Sequence, residues 1–295
     1  MHRNAPPAIR RHAGLLALLL VVAWPAAAER SHPLEGRLTQ GEAVWLDADD
    51  EEVFAVLRRA DRSEVRGGVL LIGGRGEHPE APGAIAPLRR ALADHGWVTL
   101  AMARADAEES SARLRAGLNW LVDAIEQGER KLVIIGHEQG ALDALAFLDQ
   151  HGDEPELHAL VLINTPLPGG DDEARVLAQL EALERPVLDI FFRRGPRAVV
   201  DTADERRRSV RRGGNEHYRQ DILPGTGRDS PAEGVLTRRI QGWLTDPEQT
   251  RRKERDGEEV EHRRAPPRSE QELREETEPA DNDDLRRYFT PPGGD

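Results

Sequence analysis

The chain has 295 residues, with 54 Asp and Glu against 41 Lys and Arg, and no cysteine. The missing cysteine excludes disulfides, thiolate metal sites and a cysteine nucleophile. A net charge of −13 argues against nucleic acid and anionic lipid as partners, because both are held by clustered cations.

Met1 to Ala28 has the layout of an export signal. Arg3, Arg10 and Arg11 form a basic start, Gly14–Trp24 is apolar, and Ala26-Ala27-Ala28 gives a small-residue cleavage site. The apolar run is about half the length a membrane-spanning helix needs, which is roughly twenty residues. With no cysteine after it, a lipid-modified anchor is excluded as well. The expected address is therefore exported, in the periplasm or secreted, with no stable membrane anchor after cleavage. Cleavage would remove three arginines and no acid, making the mature charge −16.

From residue 29 to 245 short apolar runs alternate with helical patterns, which predicts an α/β fold with a mostly parallel sheet and helices on both faces. Val44–Leu46 and Val53–Leu57 read as a hairpin. Val69–Ile72 is the first buried strand, Ile85–His95 a helix and Trp97–Ala101 a strand. Leu114, Leu118, Leu121, Val122 and Ile125 share one face at helical spacing. Asp106 with Glu109 can cap that helix and Gly128 can end it. Leu132–Ile135, Leu160–Ile163, Val187–Phe192 and Tyr218–Leu223 are further strands, about eight in all. Helices are expected near Glu173–Leu183 and Asp204–Arg212, the first of them started by Asp171 and Asp172. Val235, Leu236, Ile240, Trp243 and Leu244 mark a last amphipathic helix. Residues 246–295 are rich in Arg, Glu and Pro and poor in apolar residues, and are expected to be a disordered charged tail. Leu285, Tyr288 and Phe289 are its only docking candidates.

The most telling stretch is Lys131–Gly140. A β-branched run enters Gly136-His137-Glu138-Gln139-Gly140, and an apolar helix from Ala141 to Gln150 leaves it. This is similar to the nucleophile elbow of α/β-hydrolases, Gly-x-Ser-x-Gly, with Glu138 where the serine belongs. In such a site the amide after the nucleophile, here that of Gln139, is one oxyanion donor. A loop after the third strand gives the other, and Gly73-Gly74-Arg75-Gly76-Glu77-His78-Pro79 fits that loop in place and composition.

The remaining chemistry is hard to find. The hydrolase order puts an acid and then a histidine later in the chain. Asp201 and Asp204 follow the Val187–Phe192 strand. After Tyr218–Leu223 comes Pro224-Gly225-Thr226-Gly227-Arg228, with no histidine. His217 precedes its strand and should lie about 20 Å from the elbow, at about 3.3 Å per strand residue. The catalytic candidates are therefore Glu138 and, in the glycine-rich loop, His78. The ligand or oxyanion-type candidates are Gly74, Arg75, Gly136, His137, Gln139 and Gly140. Glu138 is expected either to cap the following helix or to pair with an arginine such as Arg75. No His, Asp or Glu spacing matches a metal motif, and neither a P-loop nor a dinucleotide fingerprint is present, so no metal or cofactor is expected.

Four stretches carry a family resemblance: Val69-Leu70-Leu71-Ile72 with its loop, Gly136–Gly140, Arg185–Ile190, and Tyr218–Gly225. Arg238–Leu244 adds to it. Together they resemble an uncharacterised group of exported bacterial α/β-hydrolase-like proteins, classed as a domain of unknown function. The resemblance implies the hydrolase fold and a periplasmic address, and it fixes no activity. It also implies a histidine after the Leu-Pro-Gly stretch, where this chain has Thr226-Gly227-Arg228. The expected function is a non-catalytic protein that binds a small molecule or an envelope protein. The alternatives are an ester or acyl hydrolase with a carboxylate-centred site, and a function carried by the tail as a tether.

Overall fold

A computed structural model describes residues 32–49, 51–104, 107–125, 131–151, 157–227 and 230–246. The export-type segment 1–28, the tail from 247, Asp106 and Gly128 lie outside the described residues. The chain divides into two units, Met1–Arg37 and Leu38–Asp295. In the first, the described part holds one 3-10 turn, Glu35–Arg37.

The second unit is built on β1 (Glu42–Ala48), β2 (Glu51–Arg58), β3 (Gly67–Ile72), β4 (Trp97–Met102), β5 (Leu132–His137), β6 (Leu157–Ile163), β7 (Val187–Phe192) and β8 (Tyr218–Leu223). They form one sheet in the order β1-β2-β4-β3-β5-β6-β7-β8. The β1–β2 hairpin joins β4 antiparallel, and every other pairing is parallel. The runs of β3, β4 and β7 are buried at every position, as expected for parallel strands covered on both faces.

The helices are α1 (Ile85–Asp94), α2 (Ala107–Ala124), α3 (Gln139–His151), α4 (Gly170–Glu181), α5 (Arg197–Val200), α6 (Ala203–Arg212) and α7 (Ser230–Leu244). Alternate strand residues sort them. Val69, Leu71, Val133, Ile135, Val161 and Ile190 pack with Leu88 and Leu92 of α1 and with Leu236, Ile240 and Trp243 of α7. Leu70, Ile134 and Leu162 pack on the other face with Leu118 of α2, Leu145 of α3, Leu180 of α4 and Val210 of α6. The period-two alternation thus feeds two separate cores. Asp171 and Asp172 stand in the first turn of α4, where acids favour the exposed amides. Among the described residues no helix is long and apolar enough to cross a membrane.

The most deeply buried carboxylate among the described residues lies inside this frame. Asp189, in the middle of β7, is 1% exposed and Arg206 of α6 is fully buried. Asp189 accepts from Arg206 Nε at 3.0 Å, the Tyr218 hydroxyl at 2.9 Å and Gln220 Nε2 at 2.9 Å. Burial and the neighbouring Asp189 charge push the Tyr218 phenol far up, so the hydroxyl stays a donor.

Candidate functional site

β5 runs straight into α3 with a single turn residue, Glu138, between them. Its φ is +50°, a left-handed conformation that β-carbon sterics disfavour. The backbone is fixed on both sides: Glu138 N–H donates to Ile163 O at 2.8 Å, and Glu138 O accepts from Ala141 N–H at 3.1 Å. The glycines let this bend close. A β-carbon on Gly136 would stand 2.5 Å from Ala141 Cα, and one on Gly140 would stand 2.5 Å from the carbonyl oxygens of both Ile72 and Gly73. Real side chains do not fit at those distances, so the Gly-x-x-x-Gly spacing is a steric requirement of packing β5 and α3 against the end of β3.

The loop after β3 lies over this bend. Gly74 N–H donates to Glu77 Oε2 at 2.7 Å, and the same oxygen meets His137 Nδ1 at 2.6 Å. Glu138 Oε2 lies 3.0 Å, and Glu77 Oε2 3.5 Å, from the point where a β-carbon of Gly74 would be. Two carboxylates and one imidazole therefore converge on a loop glycine beside the elbow. Burial pushes the Glu77 carboxyl up. The hydrogen bond and charge of His137, with the Gly74 N–H, outweigh that and hold it below the usual glutamate range.

Glu138 is half-buried, yet among the described residues no donor bonds its carboxylate. This corrects the expectation of a helix cap or a pair with Arg75. A capping residue normally takes an extended backbone, and φ of +50° aims the side chain elsewhere. Arg75 sits at the tip of the turn closed by Glu77 N–H on Gly74 O, and it points to solvent. His78 is also exposed, and its Nδ1 accepts from Glu80 N–H at 3.2 Å in the turn leading to α1. The structure brings Glu138, His137 and Gly74 together with Glu77, which the sequence did not single out. It does not bring His78 or Arg75 to them. Gln139 opens α3, and its N–H has no protein acceptor among the described residues.

Asp201 and Asp204, after β7, are exposed, and Asp204 pairs with Arg207 at 2.7 Å. His217 O accepts from Val187 N–H at the start of β7, so His217 lies on the sheet edge opposite the elbow. The described loop after β8 contains Gly225, Thr226 and Gly227 and no histidine; Arg228 lies outside the described residues. Among the described residues no group of three or more His, Asp or Glu could hold a metal ion.

One family model, described as a protein of unknown function (DUF3530), matches residues 23–112 and 101–246. The chain belongs to this family. No curated protein matches the chain in sequence. Solved structures resemble it in fold. Est1E from Butyrivibrio proteoclasticus is 15% identical with a TM-score of 0.57, over 72% of this chain and 99% of that one. The Pyrococcus furiosus esterase Pf2001 is 16% identical with a TM-score of 0.57, over 75% and 97%. The esterase domain of a Rhodothermus marinus protein is 16% identical with a TM-score of 0.55, over 69% and 97%. The DUF3530 chain thus has the α/β-hydrolase fold across nearly the whole length of these structures. At such identities the likeness speaks for fold alone.

Proposed function

We propose that this protein is an exported α/β-hydrolase-fold protein that does not hydrolyse esters and instead binds a small molecule or protein partner in the cell envelope. The observation that carries this reading is the state of the oxyanion loop. Its Gly74 N–H is already taken by the Glu77 carboxylate, and the Glu138 carboxylate stands against the same glycine. An oxyanion site has to present donors and positive potential to the developing charge, and one such donor contributes about 3–4 kcal/mol. Like charges about 4 Å apart repel by about 4 kcal/mol at an effective dielectric constant near 20. Carboxylates here reverse the sign of a term of that size. The replacement of the attacking serine by Glu138 and the histidine-free described loop after β8 point the same way. The basic, apolar and small-residue pattern of residues 1–28 supports the exported address.

The test is turnover of p-nitrophenyl acetate and butyrate by the purified chain, with fluorophosphonate labelling in parallel. Rates equal to buffer and no labelling are expected. Turnover that disappears in Glu138→Ala would overturn the reading. Recovery of the chain in the periplasmic fraction of a bacterial host checks the address, and retention in the cytoplasm would contradict it.

One observation favours a second reading, a carboxylate-centred hydrolase. The His137–Glu77 pair at 2.6 Å has the form of an acid orienting a histidine, directly beside the elbow carboxylate. In that reading His137, rather than His78, is the base that activates water. It requires activity in the unaltered chain that is lost in both His137→Gln and Glu77→Gln.

A further inference from the structure

The chain is acidic overall, but α7 and β8 bring three arginines together around one groove. α7 and the outer strand β8 enclose an open groove of about 280 Å3, lined by Arg219, Val235, Arg238, Arg239, Gly242 and Trp243. It lies away from the elbow. Gln241 beside it bonds Ala91 O and His95 Nδ1 at the end of α1, on the edge of the sheet where the parallel strands begin. Arg219 and Asp221 share the α7 face of β8 with buried Leu223, which packs with Leu236, Ile240 and Trp243.

Two of the three guanidiniums here share a single carboxylate. Arg219 Nε donates to Asp221 Oδ1 at 3.1 Å, and Arg239 Nε stands 3.5 Å from Asp221 Oδ2. Asp221 Oδ2 is buried without a hydrogen bond of good geometry, so Arg239 is only loosely held. Arg238 is exposed and has no acidic partner among the described residues. Among the described residues the groove thus carries an excess of cation, in a form suited to two-pronged anion binding. Its floor is apolar, from Val235, Trp243 and the arginine stems. It is also open: a β-carbon on Gly242 would meet nothing within 4 Å.

We propose that this groove binds a small amphiphilic anion. Arg238 and Arg239 hold a carboxylate or phosphate group, and the apolar part lies over Gly242 against Val235 and Trp243. The site is separate from the elbow and does not depend on whether the elbow is catalytic.

The test is calorimetric titration of the purified full chain with 1-naphthyl phosphate, 1-naphthoate and inorganic phosphate. One site for at least one naphthyl anion is expected, and the stronger of the two identifies the head group. Inorganic phosphate should bind at least tenfold more weakly, because it lacks the apolar part. Two variants attack the groove independently. Arg238→Ala with Arg239→Ala removes charge, and Gly242→Trp fills the space; each should weaken binding at least tenfold. If one of them fails to fold, the other decides. Arg193→Ala with Arg194→Ala removes two exposed arginines elsewhere and should leave the affinity unchanged. The proposal is overturned by no binding up to about 10 mM, by equal binding of inorganic phosphate, or by affinity that survives in every folded groove variant.

Discussion

Asp189 and Glu138 are both carboxylates on the parallel sheet, and the chain treats them in opposite ways. Asp189 is in the middle of β7 with donors from Arg206, Tyr218 and Gln220 around it. Glu138 is at the outgoing end of β5, half-buried, in a left-handed turn, and no side chain among the described residues satisfies it. A buried charge is retained only when it is paired and hydrogen-bonded. Asp189 meets that condition and ties β7, β8 and α6 together. Glu138 does not, and its strained backbone is held only because the glycines and the Ile163 carbonyl fix it from outside. A left-handed backbone and a carboxylate without a bonded partner among the described residues set Glu138 apart from Asp189.

Substitution separates the two roles, and the largest effect belongs to Asp189. Removing one member of a buried pair leaves the other charged without a partner, at about 3–5 kcal/mol. Asp189→Ala should lower stability by that amount in urea unfolding, and Arg206→Met should do likewise. A loss below about 1 kcal/mol would show that water reaches the pair.

Glu77 comes next, because it joins the two regions of the elbow. Glu77→Gln should lower stability by about 1–2 kcal/mol, the scale of charge-assisted hydrogen bonds at a partly buried site. The effect carries a pH signature. The folded-state pKa of Glu77 is lowered, so its contribution is present above the ordinary glutamate pKa and is lost as pH falls through the folded value. The stability difference between the unaltered chain and Glu77→Gln should therefore be full near neutrality and shrink in acid. A difference that grows in acid would contradict the assigned hydrogen bonds.

These contrasts also mark what the sequence could and could not tell. β7 runs over the same residues that the apolar pattern outlines, Val187–Phe192, because a strand inside a parallel sheet is bounded by a change of composition; β8 also keeps its expected bounds, Tyr218–Leu223, although it is an edge strand with only Leu223 buried. The elbow was legible because its glycines are a steric requirement, so spacing alone reveals them. α5 is four residues long, too short to show a helical period. β6 starts at Leu157, ahead of its apolar run, because its first residues pair with β5 regardless of their polarity. Glu77 escaped notice because its partner His137 lies 60 residues away and no local pattern links them. A carboxylate in a glycine-rich loop and a histidine inside the elbow motif were the only traces. The expected Arg75 pair failed for a related reason: adjacency in the loop does not fix which way a side chain points once Gly74 and Glu77 close the turn.

The smallest effect, and the most diagnostic, is expected at Glu138 itself. If its carboxylate makes no stabilising bond, Glu138→Gln should change stability by no more than about 0.5 kcal/mol, as for a surface substitution. Glu138→Gly should raise stability by up to about 1 kcal/mol, because relief of the left-handed strain, worth about 1–2 kcal/mol, is partly offset by the extra entropy of glycine in the unfolded chain. A residue that the fold would be more stable without is kept for something other than folding. Thermal and urea unfolding of the two variants measure this directly. A loss of more than about 1 kcal/mol in Glu138→Gln would instead make Glu138 a structural carboxylate of the same kind as Asp189.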